Sequence, residues 1–248
     1  MKDSNYPKLK FLIKPEEDVS IYFRFEKEAK AFKNSSKMIE NCFFNKHPKI
    51  KILKQIKDKK KKREFLERYV KDYYKSHKKE IKNGVKKAGR KWKKVKKNFF
   101  SLTDKLFQNY SWPEDKYLGF VTIWGIFPRN IKEKTFQFPY KGKVSEKVEV
   151  IIAHEMLHFL FYDYLYKYFP QYKKQKFAYP LWIISEAFNE SIMGEPEWQK
   201  IFLRQVRPYQ ETTLVRKKIK TLRKKEKSPK EILEKFLPPV VQKYSKSL

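Results

Sequence analysis

The chain has 248 residues, enough for one large domain or a domain with attached helices. Its 40% hydrophobic and 17% aromatic content excludes global disorder, its 6 glycines disfavour glycine-rich nucleotide loops, and its single cysteine, Cys42, excludes an internal disulfide and cysteine-rich zinc sites. The net charge of +32 suits nucleic acid, anionic lipid or acidic partners, and equally suits compositional drift, since Lys, Ile, Phe, Tyr and Asn are plentiful while Gly and Ala are scarce.

The opening MKDSNYPKLKFLIKPEED lacks the apolar run of a signal peptide. No stretch approaches the ~20 apolar residues that span a bilayer, so the expectation is a cytoplasmic protein without a membrane span. Residues 8–13 and 20–25 alternate as short strands do, although the start of a helix reads the same at this length. Residues 27–44 read as a helix with Ala31, Phe32, Ile39, Cys42 and Phe43 available for burial. From about 60 to 108, apolar residues recur mostly three and four apart, from Phe65, Leu66 and Tyr69 through Trp92 and Phe99 to Leu106. This is one stripe along a helix, with Gly84 and Gly89 as the points where it would bend or divide.

Residues 57–97 hold 20 Lys or Arg against 5 Asp or Glu. The aromatics lie on the apolar stripe and not among the lysines, so stacking platforms for bases are not displayed. Weak binding of nucleic acid or an anionic surface through this face stands beside the plainer reading of a solvated helix face. After Trp112-Pro113, residues 119–124 and 135–139 read as strands. A helix follows over about 146–168, with Glu146 and Glu149 in its first turn and Pro170 closing it. Another spans about 180–193, with Pro180 just inside its start and Gly194 just past its end. The remainder reads as helices. The expected class is α+β, predominantly helical. Residues 1–110 form a basic, mostly helical region packing on a core at 111–248, as one compact unit.

Within the apolar helix sits His154-Glu155-Met156-Leu157-His158. Histidines four apart project from one face and can reach one ion. Imidazole is the commonest zinc ligand, and this spacing is the peptidase form of it. Glu155 points about 100° round from His154, where it can take a proton from water made acidic by zinc. A catalytic site wants three protein ligands and an open position. His47 and His77 lie far upstream among lysines; positions 161 and 164 are Phe161 and Tyr164, and Asp163 is one residue short of a ligand spacing. A carboxylate downstream fits better. In Trp182-Ile183-Ile184-Ser185-Glu186-Ala187-Phe188-Asn189-Glu190, Glu186 can ligate and Glu190 can accept the other ring N–H of a ligand histidine. The inverted assignment, with Glu190 as ligand, stays open.

At these residues the sequence resembles the gluzincins, the thermolysin-like zinc peptidases, in which two histidines and a glutamate on one helix precede a Glu-x-x-x-Asp-type segment on a second. The Trp182…Glu186-Ala187-Phe188 run also resembles a segment of gluzincin aminopeptidases. The likeness covers roughly residues 119–193, and the short core is similar to compact minigluzincin-type peptidases. It implies one Zn2+ held by His154, His158 and Glu186, Glu155 as general base, and Glu190, in place of the usual Asp, as the partner of His154. It implies a zincin-like fold, with a small twisted sheet packed on the active-site helix and an edge strand, 119–124 or 135–139, pairing with a peptide or protein substrate. Such sites stabilise the oxyanion with a tyrosine or histidine, for which Tyr209 and Tyr179 are candidates by residue type. No Gly-x-Met-Glu-Asn exopeptidase motif is present, which points to an endopeptidase. The competing reading is a basic nucleic-acid-binding protein with a structural or vestigial zinc site. A deformylase-type hydrolase would need Cys42 as ligand, and no motif surrounds it.

Overall fold

The computed structural model describes residues 6–31, 35–114, 116–141, 147–202, 209–225 and 227–245. The protein is α+β and mostly helical, with a small mixed sheet. Its elements run β1 (Leu9–Leu12), α1 (Pro15–Ala31), α2 (Ser35–Ile39), α3 (Lys59–Ser76), α4 (Lys78–Leu106), β2 (Tyr117–Thr122), β3 (Arg129–Asn130), β4 (Thr135–Pro139), α5 (Val148–Tyr168), α6 (Ala178–Ile192), α7 (Pro196–Phe202), α8 (Thr213–Lys224) and α9 (Pro229–Ser245). A π-helical turn, Glu40–Phe44, extends α2. The contacts divide the chain into two interleaved units, whereas the sequence leads one to expect regions 1–110 and 111–248 packed as one compact unit. One comprises Met1–Lys8, Lys91–Asp115 and Val144–Leu248; the other comprises Leu9–Arg90 and Lys116–Lys143. No helix among the described residues is long and apolar enough to cross a membrane.

In the second unit the sheet order is β1-β2-β4-β3, with β1, β2 and β4 parallel and β3 antiparallel to β4. Strand β2 is therefore flanked on both sides, and neither it nor β4 is the free edge expected from the sequence. The edges are β1 and the two-residue β3. Residues 20–25, expected as a strand, lie inside α1. The alternation of Ile21, Phe23 and Phe25 misled, because the buried set is Asp18, Val19, Ile21, Tyr22 and Phe25, a helical spacing. Pro15 opens this helix, and Glu16, Glu17 and Asp18 occupy its first turn, where negative charge suits the dipole. The helix expected over 27–44 is divided between the end of α1, α2 and the π turn. Phe43 is buried, and Phe32 lies outside the described residues.

Asp18 ties α1 to the end of β2. Its carboxyl accepts from Thr122 Oγ1 at 2.5 Å and the Ile123 N–H at 3.2 Å and lies 2.7 Å from Tyr74 Oη, while its carbonyl accepts from Trp124 Nε1 at 2.8 Å. Tyr74 Oη also lies 2.9 Å from the Val121 carbonyl, yet a phenol has one proton to give. A protonated Asp18 resolves the conflict, since it donates to Tyr74, which then donates to Val121. Burial accordingly pushes the Asp18 carboxyl up to about 7, against the lowering effect of its hydrogen bonds.

The long apolar stripe becomes α3 and α4, and the division falls at His77, not at the glycines. His77 stacks on Tyr73 with centroids 4.0 Å apart, and the Tyr73 carbonyl closes α3 by accepting the His77 N–H at 3.0 Å and the Ser76 hydroxyl at 3.0 Å. Leu66, Val70, Tyr74, Ile81, Ala88, Trp92 and Phe99 are buried and the lysines between them exposed, as an amphipathic helix requires. Gly84 is there for contact, because a Cβ would stand 2.3 Å from the Tyr140 carbonyl oxygen; at Gly89 the nearest atom, in Phe11, is 3.8 Å away.

In the first unit, α5 and α6 are buried around almost their whole circumference, with every residue from Glu149 to Tyr162 and from Ile183 to Ile192 buried. Such helices belong to an interior. Helix α6 packs against α5, α8 and α9. Helix α5 begins at Val148 with Glu149 in its first turn, 3.5 Å from Lys91; Glu146 lies outside the described residues. Pro180 sits in the first turn of α6 and Gly194 follows its cap, Met193.

Two measurements check the second unit. A carboxyl with a raised folded pKa holds its proton more tightly when folded, so its contribution to stability is present at low pH and is lost as pH rises from 3.8 to about 7. Denaturant unfolding at pH 5 and pH 8 should show a larger fall in wild type than in Asp18→Asn; equal falls would mean ordinary titration. Gly84→Ala should cost roughly 2 kcal/mol or more by overpacking, while Gly89→Ala should stabilise by up to about 1 kcal/mol through helix propensity.

Candidate metal centre

His154 and His158 lie one turn apart on α5, and Glu186 comes from the middle of α6. His154 Nε2 is 3.0 Å from Glu186 Oε2 and 3.0 Å from His158 Nε2, and His158 Nε2 is 3.4 Å from Glu186 Oε1. Relative exposure is 4% for His154, 0% for His158 and 1% for Glu186, so water cannot mediate among them freely. Two imidazoles protonated at Nε2 can each donate to one Glu186 oxygen, but the 3.0 Å contact between the two Nε2 atoms then has no bridging proton. His154 Nε2 carries at most one hydrogen or one in-plane lone pair and cannot serve both contacts at once. A single cation could be held by all three atoms. Ligand atoms at tetrahedral angles about 2.0–2.1 Å from an ion stand about 3.3 Å apart, close to the spacing here. The buried His154, His158 and Glu186 group could hold a metal ion.

The local sequence explains why these atoms meet. A four-residue step turns the two imidazoles to one side of α5, and Glu186 sits on the apolar helix packed against it. Asn189, three residues after Glu186, donates from Nδ2 to the His154 carbonyl at 3.2 Å and so ties α6 to the backbone of α5 at that histidine. Its Oδ1 is buried with no hydrogen-bond partner among the described residues. Sequence reading passed over Asn189; the signal available was an amide inside an otherwise apolar helix, one turn from a carboxylate. It also passed over Tyr162, which continues the His154–His158 row by one more turn, 6.4 Å ring to ring from His158, with its hydroxyl 3.2 Å from Ser185 Oγ.

Glu155 follows His154 on α5 and is 5% exposed. Glu190 does not take the role expected of it. Its carboxylate accepts from the Tyr209 N–H at 3.0 Å, Thr212 Oγ1 at 2.7 Å and Arg216 Nη1 at 3.1 Å. These partners draw it toward the 209–216 segment, and no hydrogen bond to His154 is formed. The stripe that carries Glu186 inward turns by about 40° over four residues, which brings Glu190 round to the C-terminal segment. Burial raises the Glu190 pKa, hydrogen bonds from Thr212 and the Tyr209 N–H and the charge of Arg216 oppose that, and Glu186 adds repulsion.

Tyr179 and Tyr209 both reach Trp182, stacked at 5.9 Å and edge-on at 5.2 Å respectively. Asp163 accepts from Tyr110 Oη at 2.8 Å. His47 belongs to the other unit, its ring nitrogens taken by Tyr69 Oη at 2.8 Å and the Ile123 carbonyl at 3.0 Å, which makes it a satisfied core histidine. Cys42 also belongs to that unit, and burial pushes its thiol pKa up.

Separate Gln substitutions distinguish the two glutamates. Glu186→Gln should weaken divalent-metal affinity by roughly 100-fold or more in a chelator competition, whereas Glu190→Gln should leave it within about tenfold and speed amide exchange across 209–216. The reverse pattern would make Glu190 the ligand. Comparison with protein-family models, with curated proteins and with solved structures finds no match for this chain.

Proposed function

We propose that the chain is a zinc-dependent metallopeptidase of the zincin type, an endopeptidase acting on a peptide or protein, with His154, His158 and Glu186 as ligands and Glu155 as general base. The observation that carries this reading is the convergence of two imidazole nitrogens and one carboxylate within 4.8 Å of one another, the histidines from a His-Glu-x-x-His helix and the carboxylate from a second helix downstream. The likeness to the gluzincins rests on those same residues. Zinc suits the donor set, and three protein ligands leave the open position of a catalytic site.

When bound, zinc supplies Lewis acidity that polarises a carbonyl and makes water a better nucleophile. The chain's own residues do the rest. Glu155, adjacent to a ligand and turned about 100° from it, takes the proton from the attacking water and returns it to the departing amine. His154 and His158 sit in the stretch Glu149–Tyr162 of α5, which is buried throughout, and Asn189 holds the His154 backbone, so the group is rigid before substrate arrives. Burial of all four residues to 5% or less is also what a closed, structural site would show. Activity decides between the two.

Glu155→Gln preserves shape and removes the base. In the zinc-loaded protein, hydrolysis of a dye-labelled unfolded protein should fall by roughly 10²–10⁴-fold, with about one zinc per chain and an unchanged melting curve. Undiminished hydrolysis would reject the mechanism, and a wild type that binds zinc but hydrolyses nothing would favour the structural site.

A further inference from the structure

Four aromatic side chains gather around the first two turns of α6. Tyr179 stacks on Trp182 at 5.9 Å, Tyr209 meets Trp182 edge-on at 5.2 Å, and Tyr244 of α9 meets Tyr179 edge-on at 6.0 Å. Core aromatics of the same unit, such as Phe161 and Phe188, are wholly buried, whereas Tyr209 is 47% exposed and the other three are half-buried. Leaving rings of this size at the surface forgoes burial, and clusters of them mark recognition sites.

Their place on the helix gives the cluster its meaning. Trp182, Glu186 and Glu190 are successive four-residue steps, each turned about 40° further round the helix, so Trp182 lies one turn from the ligand carboxylate, about 5–6 Å between Cβ atoms. Tyr179 falls within about 20° of Glu186 around the axis. Tyr209 spans the same stripe. Its N–H donates to Glu190, one turn beyond Glu186, and its ring rests on Trp182, one turn before it. The wall of rings therefore runs along the turn that contributes a ligand to the metal group.

We infer that Tyr179, Trp182, Tyr209 and Tyr244 form the subsite that receives a substrate side chain, and that it takes an aromatic or large apolar side chain from an acidic peptide. This rests on the peptidase reading of the same site. Flat aromatic faces favour rings and large apolar groups. The surroundings select against cations: Lys173, Lys174 and Lys176 are exposed just before α6, and the Lys243 ammonium already sits 5.1 Å over the Tyr244 ring. Acidic groups near the cluster are Glu211, whose charge reaches Tyr179, and Glu186 and Glu190, which are engaged with the histidines and with Thr212 and Arg216. A chain carrying +32 attracts an acidic peptide further.

The test uses the full zinc-loaded chain carrying Glu155→Gln, which binds without turnover, and fluorescein-labelled acidic heptapeptides with Phe or Ala at the centre. Fluorescence anisotropy should show the Phe peptide binding about tenfold tighter. That preference should vanish on adding Trp182→Ala and, separately, Tyr209→Ala, with zinc content unchanged. The second variant alters an exposed ring and guards against misfolding of the first. Equal affinity for the two peptides would overturn the inference. So would a preference that survives both substitutions, or a labelled oligothymidylate bound through Trp182 in the peptide's place. If wild type fails to hydrolyse any peptide while the Phe preference stands, the peptidase reading falls and the aromatic subsite remains. If it hydrolyses Phe and Ala peptides equally, the reverse holds.

Discussion

The organising constraint is the contact among His154, His158 and Glu186. Three polar groups face one another at 3.0–3.4 Å inside helices that are otherwise apolar and buried. Leaving a polar group unpaired in such surroundings costs several kcal/mol, and a carboxylate more, so these groups meet one another there. The arrangement of α5 and α6 brings these three groups together as a set that could hold a metal ion. Both helices are apolar around most of their circumference because both belong to the interior. The few polar residues they carry, Asn189, Ser185 and Tyr162 among them, bond to one another or to backbone near the same place.

Two glutamates one turn apart on α6 illustrate how position divides labour between identical side chains. Glu186 faces α5 and the imidazoles. Glu190 faces the C-terminal segment and gathers a backbone N–H, a hydroxyl and a guanidinium. Charge-assisted bonds of this kind are the stronger sort and suit a carboxylate that must stay buried. The consequence is that residues 209–216 are moored one turn along α6 from Glu186, and Tyr209 is carried onto Trp182 by the same mooring.

The second unit solves a different problem with similar means. Its sheet is mixed and small, with β1 contributed from the start of the chain and joined to β2 more than a hundred residues later. Asp18 closes that arrangement, bonding to α3 through Tyr74 and to the end of β2 through Thr122 and Ile123. Its raised pKa follows from burial without a cationic partner, and the neutral acid completes a chain of donors that an ionised one would leave in conflict.

Much of this was legible in the residues. The helices over 148–168 and 178–192 announce themselves through continuous apolar texture closed by Pro170 and Gly194, and β2 and β4 through short β-branched and aromatic runs. The His154–His158 spacing and an acidic residue downstream require only that a helix has 3.6 residues per turn. Other features were not legible. Local alternation could not tell the start of α1 from a strand, because helical and extended periodicities coincide over six residues. Strand order, the flanking of β2 on both sides, the break at His77 and the interleaving of the two units depend on contacts between residues far apart in sequence. The sequence by itself determined which groups could hold a metal, since spacing on one helix is a local property. Only the tertiary structure decided that Glu186 turns inward to the histidines and Glu190 turns away, because that choice is made by what packs against each side of α6.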